Sequence, residues 1–179
     1  AGGPAVPGDV DLGAYGGAAH RAGALSTVET LAAYAPTTDL STHVVDAGDV
    51  AAALDDTMGA MRMLALRRFM LVAAEAVAED VGAVGIVTGE AIGQKSSQTS
   101  ANIAVTDAAV DLPVFRPNLT DDKAEITQLA REIGTFESST IPTGCNRVAP
   151  SLPGTDGSLP AVREQEPDDL FERAHEAAE

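Results

Sequence analysis

The feature that most constrains this fold is a short apolar run that stops at a glycine-bearing turn. The run covers residues 83–87, and Thr88-Gly89 and a polar, helix-compatible segment over residues 94–108 follow it. This order predicts a buried strand, a turn and a helix N-terminus, which is a junction where open α/β sheets bind ligands. Free backbone N–H groups and the helix dipole both favour an anion at such a place.

Polar side chains are crowded at this junction. Within residues 88–99 they are Thr88, Glu90, Gln94, Ser96, Ser97, Gln98 and Thr99. An ordinary strand-to-helix connection that happens to carry a glycine would explain the turn alone. A helix that only packs on a sheet does not need so many hydrogen-bonding groups at its first turn. The crowding therefore favours a ligand-binding turn.

Further strand and helix signals alternate along the chain. Strands are expected at 10–12, 43–45 and 113–116, and helices at 24–32, 50–78 with a break near Gly59, 121–133 and 166–178. This alternation predicts an α/β fold with a parallel sheet. We expect one domain over residues 1–150, followed by a C-terminal tail, 151–179, with a short acidic helix.

The net charge of −16 restricts which partners the protein can bind and indicates the salt concentration in which it is soluble. Asp and Glu total 27, whereas lysine occurs only at Lys95 and Lys123. Such an acidic surface suits a halophilic protein, because concentrated salt screens the repulsion. The charge argues against a broad nucleic-acid footprint, so an RNA contact would need a local basic patch or another domain. A disordered acidic chain is excluded because 45% of the residues are hydrophobic.

Cysteine and histidine usage narrows the chemistry. The single cysteine, Cys145, excludes an intrachain disulfide and fits a reducing cytoplasm. No apolar run reaches transmembrane length and no targeting signal opens the chain, so we expect a cytoplasmic protein without a membrane partner. The three histidines are scattered, and no metal site is expected.

Taken together, several motifs match one family in its order along the chain. The residues that carry the match are Leu12-Gly13 with Gly16–His20, Arg67–Met70, Thr88–Gln94 with Ser96–Thr99 and Asn102, Arg116-Pro117 with Asp122-Lys123 and Ile126, and Gly134-Thr135 with Pro142 and Cys145. They resemble the tRNA 4-thiouridine synthetases, the ThiI-type tRNA sulfurtransferases of the PP-loop (adenine-nucleotide alpha-hydrolase) superfamily. The resemblance implies a Rossmann-like, parallel-sheet PP-loop domain.

One family feature does not occur in this sequence. Members of the family open this domain with a strand and a Ser-Gly-Gly-x-Asp-Ser loop that holds the ATP pyrophosphate, and Gly2-Gly3 lacks the Asp and Ser that would follow. The first strand–helix unit is therefore expected to be missing, as is the family's RNA-binding region. An absent interior strand leaves sheet edges unpaired, so we expect a homo- or hetero-oligomer that covers the gap.

The resemblance also implies roles for individual residues. ATP, with Mg²⁺ expected, would be bound by Asp11, Leu12, Arg67, Gly89 and Gln98. Supporting positions would be Thr88, Glu90, Gln94, Ser97, Arg116, Asp122 and Lys123. Cys145 would carry the sulfur, since a polar loop and Arg147 favour its thiolate. Simpler roles remain open: Arg67 as a solvated helix residue, Asp122 as a helix cap and Cys145 as a small buried side chain.

The family reaction adenylates a tRNA uridine with ATP and then delivers sulfur from a cysteine persulfide, giving 4-thiouridine. The implied partners are tRNA, bound through a missing or separate domain, and a sulfur donor such as a cysteine desulfurase. A second implied role is sulfur supply for the thiazole of thiamine. The alternatives are a non-catalytic remnant or accessory subunit that cannot activate ATP alone and, more weakly, a nucleotide-binding regulatory module that uses Gly89 and Gln98.

Overall fold

The computed structural model describes residues 5–95, 97–141 and 145–179 as an alternating α/β chain. Its strands are β1 (Gly8–Asp11), β2 (His43–Asp46), β3 (Ile86–Val87) and β4 (Val114–Phe115). Its helices are α1 (Gly17–Ala32), α2 (Gly48–Thr57), α3 (Arg62–Asp80), α4 (Ser100–Asp107), α5 (Lys123–Glu132), α6 (Phe136–Ser139), α7 (Cys145–Val148), α8 (Leu159–Arg163) and α9 (Leu170–Ala178). The predicted α/β class and parallel pairing are confirmed.

In the described part of the chain, the strands form two separate parallel pairs. β1 pairs with β2 in a register that sets Asp11 opposite Asp46. β3 pairs with β4 in a register that sets Val87 opposite Phe115. In each pair a helical crossover joins the strands, so that both carboxyl ends lie at the same edge.

The core is organised around α3, which packs against α2, α4, α9 and β3. Its buried face is built from large apolar side chains such as Leu66 and Phe69, both fully buried. Burying each of these is worth about 1.5–3 kcal/mol relative to exposure. The segment expected to be a tail contributes to the same core, since Leu170 and Ala174 of α9 are buried in it.

A matched pair of turns closes the carboxyl ends of β1 and β2. In each turn an aspartate oxygen accepts the backbone N–H of the glycine two residues later: Asp11 from Gly13 at 2.9 Å and Asp46 from Gly48 at 3.0 Å. Gly13 has a φ of 55°, and a Cβ built on it would lie 3.0 Å from the Cα of Gly48. Glycine is required at Gly13 because a side chain there would be strained and would strike the neighbouring turn.

The predicted buried strand over residues 83–87 is only partly confirmed. The ladder is limited to Ile86 and Val87; Ile86 is buried, whereas Val84 is 82% exposed and Val87 68% exposed. Phe115, opposite Val87, is 53% exposed. One face of the β3–β4 pair is therefore apolar and uncovered in the described residues, which an apolar run in the sequence cannot reveal. The expected oligomer stays a prediction, and this face is where it would be sought.

Two helix predictions need correction. Residue Gln94 does not begin a helix, because α4 starts at Ser100 with Thr99 as its N-cap. The helix predicted at 121–133 exists as α5, but none of its residues is buried and Leu129 is 44% exposed. The apolar stripe of α5 correctly predicted a helix, but it could not show that the rest of the described structure covers this stripe only partly. The break near Gly59, between α2 and α3, is confirmed.

Among the described residues, no helix is both long enough and apolar enough to cross a bilayer.

Asp9 on β1 has a partly buried carboxyl group whose ionisation affects the stability of the fold. Burial raises the pKa of Asp9 above its ordinary value, Asp11 raises it further, and His20 and Arg21 oppose the rise. Its Oδ2 atom is buried without a hydrogen-bond partner among the described residues. A raised pKa in the folded state means that ionised Asp9 destabilises the protein above its folded pKa, and that this penalty is absent below the unfolded pKa of about 4.

We therefore expect Asp9→Asn to raise the midpoint of denaturant unfolding at pH 7, with a gain that shrinks as the pH falls toward 4. The measurement is guanidinium unfolding of both proteins across that range. Asp168→Asn, at an exposed position, is the matched control and should show no such trend. A gain from Asp9→Asn that is independent of pH would contradict the interpretation.

Candidate functional site

The polar segment after β3 folds into a turn rather than a helix. In this segment, called the Gln98 turn (residues 93–95 and 97–98), the Gly93 N–H donates to the Gln98 carbonyl at 2.9 Å and the Gln98 N–H to the Lys95 carbonyl at 2.9 Å. Gly93 has a φ of 78°, which favours glycine. Ser96 lies outside the described residues. The crowded polar residues thus line a turn, and the predicted helix N-terminus directly after the strand is wrong.

A network of four charged side chains lies at the carboxyl edge of β3 and β4. Arg116 donates to Glu90 Oε2 at 2.8 Å and contacts Asp107 through two hydrogen bonds of 3.0 and 2.6 Å. Arg67, from α3, lies 3.5 Å from Glu90 Oε1 and donates to the Ser97 carbonyl at 3.2 Å. The network therefore joins the end of β4, α3, α4 and the end of the Gln98 turn.

Burial and pairing together fix the charge state of Arg116. Its side chain is only 5% exposed. Burial alone would lower the pKa of Arg116, but the hydrogen bonds that Arg116 donates to Asp107 and Glu90 outweigh burial and raise it. Arg116 is therefore a permanent cation that holds Glu90 in place, and Thr88 adds a long contact of 3.5 Å to the same carboxylate. The solvated role considered for Arg67 is not observed, since its side chain is 17% exposed and paired.

Two residues of the segment have features that packing within the chain does not explain. Gln98 Oε1 is buried with no hydrogen-bond partner among the described residues. A Cβ built on Gly89 would meet nothing within 4 Å, and Gly89 lacks a positive φ. A buried acceptor without a donor is costly, and a glycine with open space above it permits close approach by a ligand. Both features fit a group that binds here.

The other predicted site residues lie elsewhere. Asp122 is the N-cap of α5, where it accepts the N–H groups of Ala124 and Glu125, so the capping role is confirmed. Lys123 is exposed on the first turn of the same helix. Asp11 and Leu12 lie at the end of β1, where Leu12 is buried in the core.

Cys145 is the first residue of α7, while its side chain and residues 142–144 lie outside the described residues. The structure therefore leaves its assignment as a prediction.

Two residues that hold this site together were given no role from sequence. Asp107, at the end of α4, is the bidentate partner of Arg116. Asn102, fully buried in α4, makes hydrogen bonds on both sides of the site. A signal for Asn102 was available, because an amide three residues after a Thr cap and among apolar helix positions needs buried partners.

Two cavities lie away from the charged network, and no metal-binding cluster is found among the described residues. A shallow cavity of about 420 Å³ lies between α1 and residues 38–42, and another of about 160 Å³ is lined by His20, Thr27, Ser138 and their neighbours. None of the residues lining them belongs to the charged network. A search of the described residues finds no cluster of His, Cys, Asp or Glu able to hold a metal ion.

A family model, sequence relatives and a solved structure all indicate the same family for this chain. The family model described as "Thiamine biosynthesis protein (ThiI)" matches residues 13–170. A probable tRNA sulfurtransferase of Halobacterium salinarum is 54% identical over 177 residues, which cover 99% of this chain and 45% of that protein. A probable tRNA sulfurtransferase of Sulfurisphaera tokodaii is 34% identical, over 84% of this chain and 41% of that protein.

A solved structure is also similar. It is the crystal structure of a 4-thiouridine synthetase–RNA complex with bound ATP, which matches with a TM-score of 0.85 and 28% identity over 96% of this chain and 46% of that one. The chain thus spans less than half the length of these relatives.

Proposed function

This chain belongs to the ThiI family of tRNA sulfurtransferases, and from that premise we propose that it forms the nucleotide-binding and sulfur-handling part of a tRNA 4-thiouridine synthetase. The expected PP-loop domain fold is confirmed by the 4-thiouridine synthetase neighbour. The observation in the chain itself that best supports the proposal is the buried, unpartnered Oε1 of Gln98 beside a paired arginine.

The nucleotide would be ATP, as bound in the neighbour. Gln98 Oε1 is an acceptor in need of a donor, and the amino group of an adenine is one. The backbone at Gly89 is open to a ligand, and Arg67 brings a positive charge to the same edge. We propose that these residues hold ATP with Asp11 and Leu12 from the end of β1, and that Mg²⁺ accompanies the phosphates.

The charged network would keep this half-site rigid. Two arginines and two carboxylates sum to no net charge, so the edge avoids the strong negative charge that the rest of the chain carries. Glu90 is held by Arg116 and in turn lies against Arg67. Thr88, Gln94 and Ser97 complete the supporting positions. A preorganised cation costs no reorganisation when the phosphates arrive.

The chemistry follows from the demands of replacing a uridine oxygen by sulfur. ATP would supply an adenylate that turns the carbonyl oxygen into a leaving group. The terminal sulfur of a persulfide would then attack that carbon and displace AMP. A second thiol, from another chain or a small molecule, would release the transferred sulfur by forming a disulfide with the carrier cysteine. The only thiol of the chain is Cys145, and we propose that it carries or resolves the persulfide. Arg147, two residues later, donates to the Ala14 carbonyl and so fixes α7 near the end of β1.

The RNA would be tRNA, because the relatives are tRNA sulfurtransferases and the structural neighbour is an RNA complex. The strong negative charge of this chain implies that most phosphate contacts come from another domain or chain. A cysteine desulfurase would donate the sulfur. The family name supports a second role in thiamine biosynthesis. The acidic, lysine-poor composition and the Halobacterium relative support a halophilic source.

The test is calorimetric ATP binding in multimolar KCl. We expect wild-type protein to bind, and Gly89→Ala and Gln98→Ala each to weaken binding more than about tenfold, equivalent to about 1.4 kcal/mol. Gly59→Ala, at an open position between α2 and α3, is the matched glycine control. Absence of binding by well-folded wild-type protein would contradict the proposal for this chain. With binding established, a tRNA thiolation assay of Cys145→Ser tests the sulfur step.

A further inference from the structure

A segment that follows the cysteine-bearing helix connects α7 to the N-terminal ends of α3 and α4. This strap (residues 149–158) begins after α7, whose Val148 is fully buried in the main core. At the near end, Arg147 donates to the carbonyl of Ala14, just past β1, at 3.2 Å. Along its course, the Gly154 N–H donates to the Ala60 carbonyl at 2.9 Å. The strap therefore lies across the start of α3.

The far end of the strap is attached to α4 by one buried side chain. Asn102 Nδ2 donates to the Gly154 carbonyl at 2.9 Å, and its Oδ1 accepts the Gly157 N–H at 2.8 Å. Thr99 Oγ1 adds a bond to the Thr155 carbonyl at 2.8 Å. A Cβ on Gly157 would lie 2.5 Å from Leu64 Cδ1 and 2.9 Å from Asn102 Oδ1, so the strap and α4 are in close contact.

The same amide also holds the Gln98 turn. Asn102 Nδ2 donates to the Ser97 carbonyl at 3.0 Å, and that carbonyl also accepts from Arg67. Asn102 thus uses both amide donors and its acceptor to join the residue before Gln98 to two residues of the strap. Because the side chain is fully buried, loss of these bonds would leave backbone groups without partners.

We propose that Asn102 is a positioning residue that couples the Gln98 turn to the cysteine-bearing segment, so that nucleotide binding at the turn changes the reactivity of Cys145. The inference rests on the proposed nucleotide site. The turn is tied to Asn102, Asn102 to the strap, and the strap continues directly into α7. A ligand that stabilises the turn therefore stabilises the strap as well. Coupling between two sites acts in both directions, so modification of the thiol should in turn alter nucleotide affinity.

The single cysteine makes the test direct, because every alkylation event reports on Cys145. The rate of alkylation by a maleimide is measured on the folded chain in high KCl, with and without saturating ATP. We expect ATP to slow the wild-type reaction about fivefold or more, the lower end of usual coupling strengths. Calorimetry on fully alkylated protein should then show weaker ATP binding than on the unmodified protein.

Variants separate coupling from general stability. Asn102→Ala removes the link from the α4 side, and Gly157→Ala weakens it from the strap side without altering Asn102, in case the first variant does not fold. In either folded variant, we expect ATP to slow alkylation clearly less than in the wild-type protein, and the Thr99–Thr155 bond remains to carry any residual effect. Thr106→Ala is the matched control, because Thr106 is a buried polar residue of α4 whose hydroxyl donates to the Ile103 carbonyl in the same helix. It should retain the wild-type effect of ATP.

The outcomes are distinguishable. If folded wild-type protein binds no ATP, the proposed nucleotide function fails and the coupling fails with it. If ATP binds but leaves the alkylation rate unchanged, or if Gly157→Ala and Asn102→Ala keep the full effect, the coupling alone is overturned. Loss of the effect in Thr106→Ala as well would also overturn the role of Asn102, because general loosening of α4 would then explain the result.

Discussion

Replacement of Arg68 by methionine should lower the free energy of unfolding by about 3–5 kcal/mol, because it leaves a carboxylate unpaired in the core. Arg68 has no exposed surface and contacts Glu166 through bonds of 2.8 and 3.1 Å. It also donates to the Val105 carbonyl at 2.9 Å, and its guanidinium lies 5.0 Å from the centre of the Phe171 ring. The measurement is guanidinium unfolding followed by circular dichroism in high salt.

The adjacent arginine provides the control for this prediction. Arg67→Met changes the same residue type one position away and should cost less than Arg68→Met, because Glu90 keeps its pair with Arg116 and the Ser97 carbonyl keeps its bond from Asn102. The double variant Arg68→Met, Glu166→Leu should recover most of the loss, since an apolar pair of similar volume is tolerated where an unpaired charge is not. A loss from Arg68→Met no larger than that from Arg67→Met would contradict the assignment of Arg68 to the core.

Replacement of Arg116 by methionine should impair both stability and nucleotide binding. It would leave Glu90 and Asp107 as two neighbouring carboxylates without their shared cation. Since Asp107 is 40% exposed, we expect a smaller cost than for Arg68→Met, about 2–3 kcal/mol. Glu90 would no longer be held against Arg67, and ATP affinity should fall more than about tenfold. Unfolding and calorimetry on one preparation give both quantities.

Two further variants show whether the effect of Arg116 is specific. Arg163→Met removes an exposed arginine from α8 and should change neither quantity appreciably. Arg116→Met combined with Asp107→Asn reduces the repulsion between the two carboxylates and should recover part of the stability. It should recover little of the affinity, because the carboxylate of Glu90 is still free to move. Unaltered ATP affinity in folded Arg116→Met would show that the network does not support the nucleotide site.

Much of the fold could be predicted from local patterns. The α/β alternation, the break near Gly59 and the helix bearing Arg67 and Arg68 follow from periodicity and glycine placement, which are local properties. What the pattern could not show is which face of each element is covered. Val87 and Leu129 are exposed although their segments are apolar, because burial depends on partner surfaces distant in sequence.

The segment that the sequence marks as the candidate site has unusual structural features, but its secondary structure was predicted wrongly. The Thr88–Thr99 segment carries the charged network and the unpartnered Gln98 acceptor. The helix was placed too early because Gln, Lys and Ser are compatible with both helix and turn, while Gly93 and the Thr99 cap decide for the turn. The different roles of Arg67 and Arg68 were also invisible, since adjacent helix residues point about 100° apart and only the packing shows which one is enclosed.

The position of α9 in the core also has a consequence for synthesis on the ribosome. α3 is complete once residue 80 has been made, yet part of the apolar face that it presents is covered by α9, residues 170–178. The buried partner of Arg68 comes from residue 166. During translation, the part of α3 that α9 covers therefore stays exposed while nearly a hundred further residues are made. Such a nascent chain is a natural client for chaperones that bind exposed apolar segments until α9 emerges.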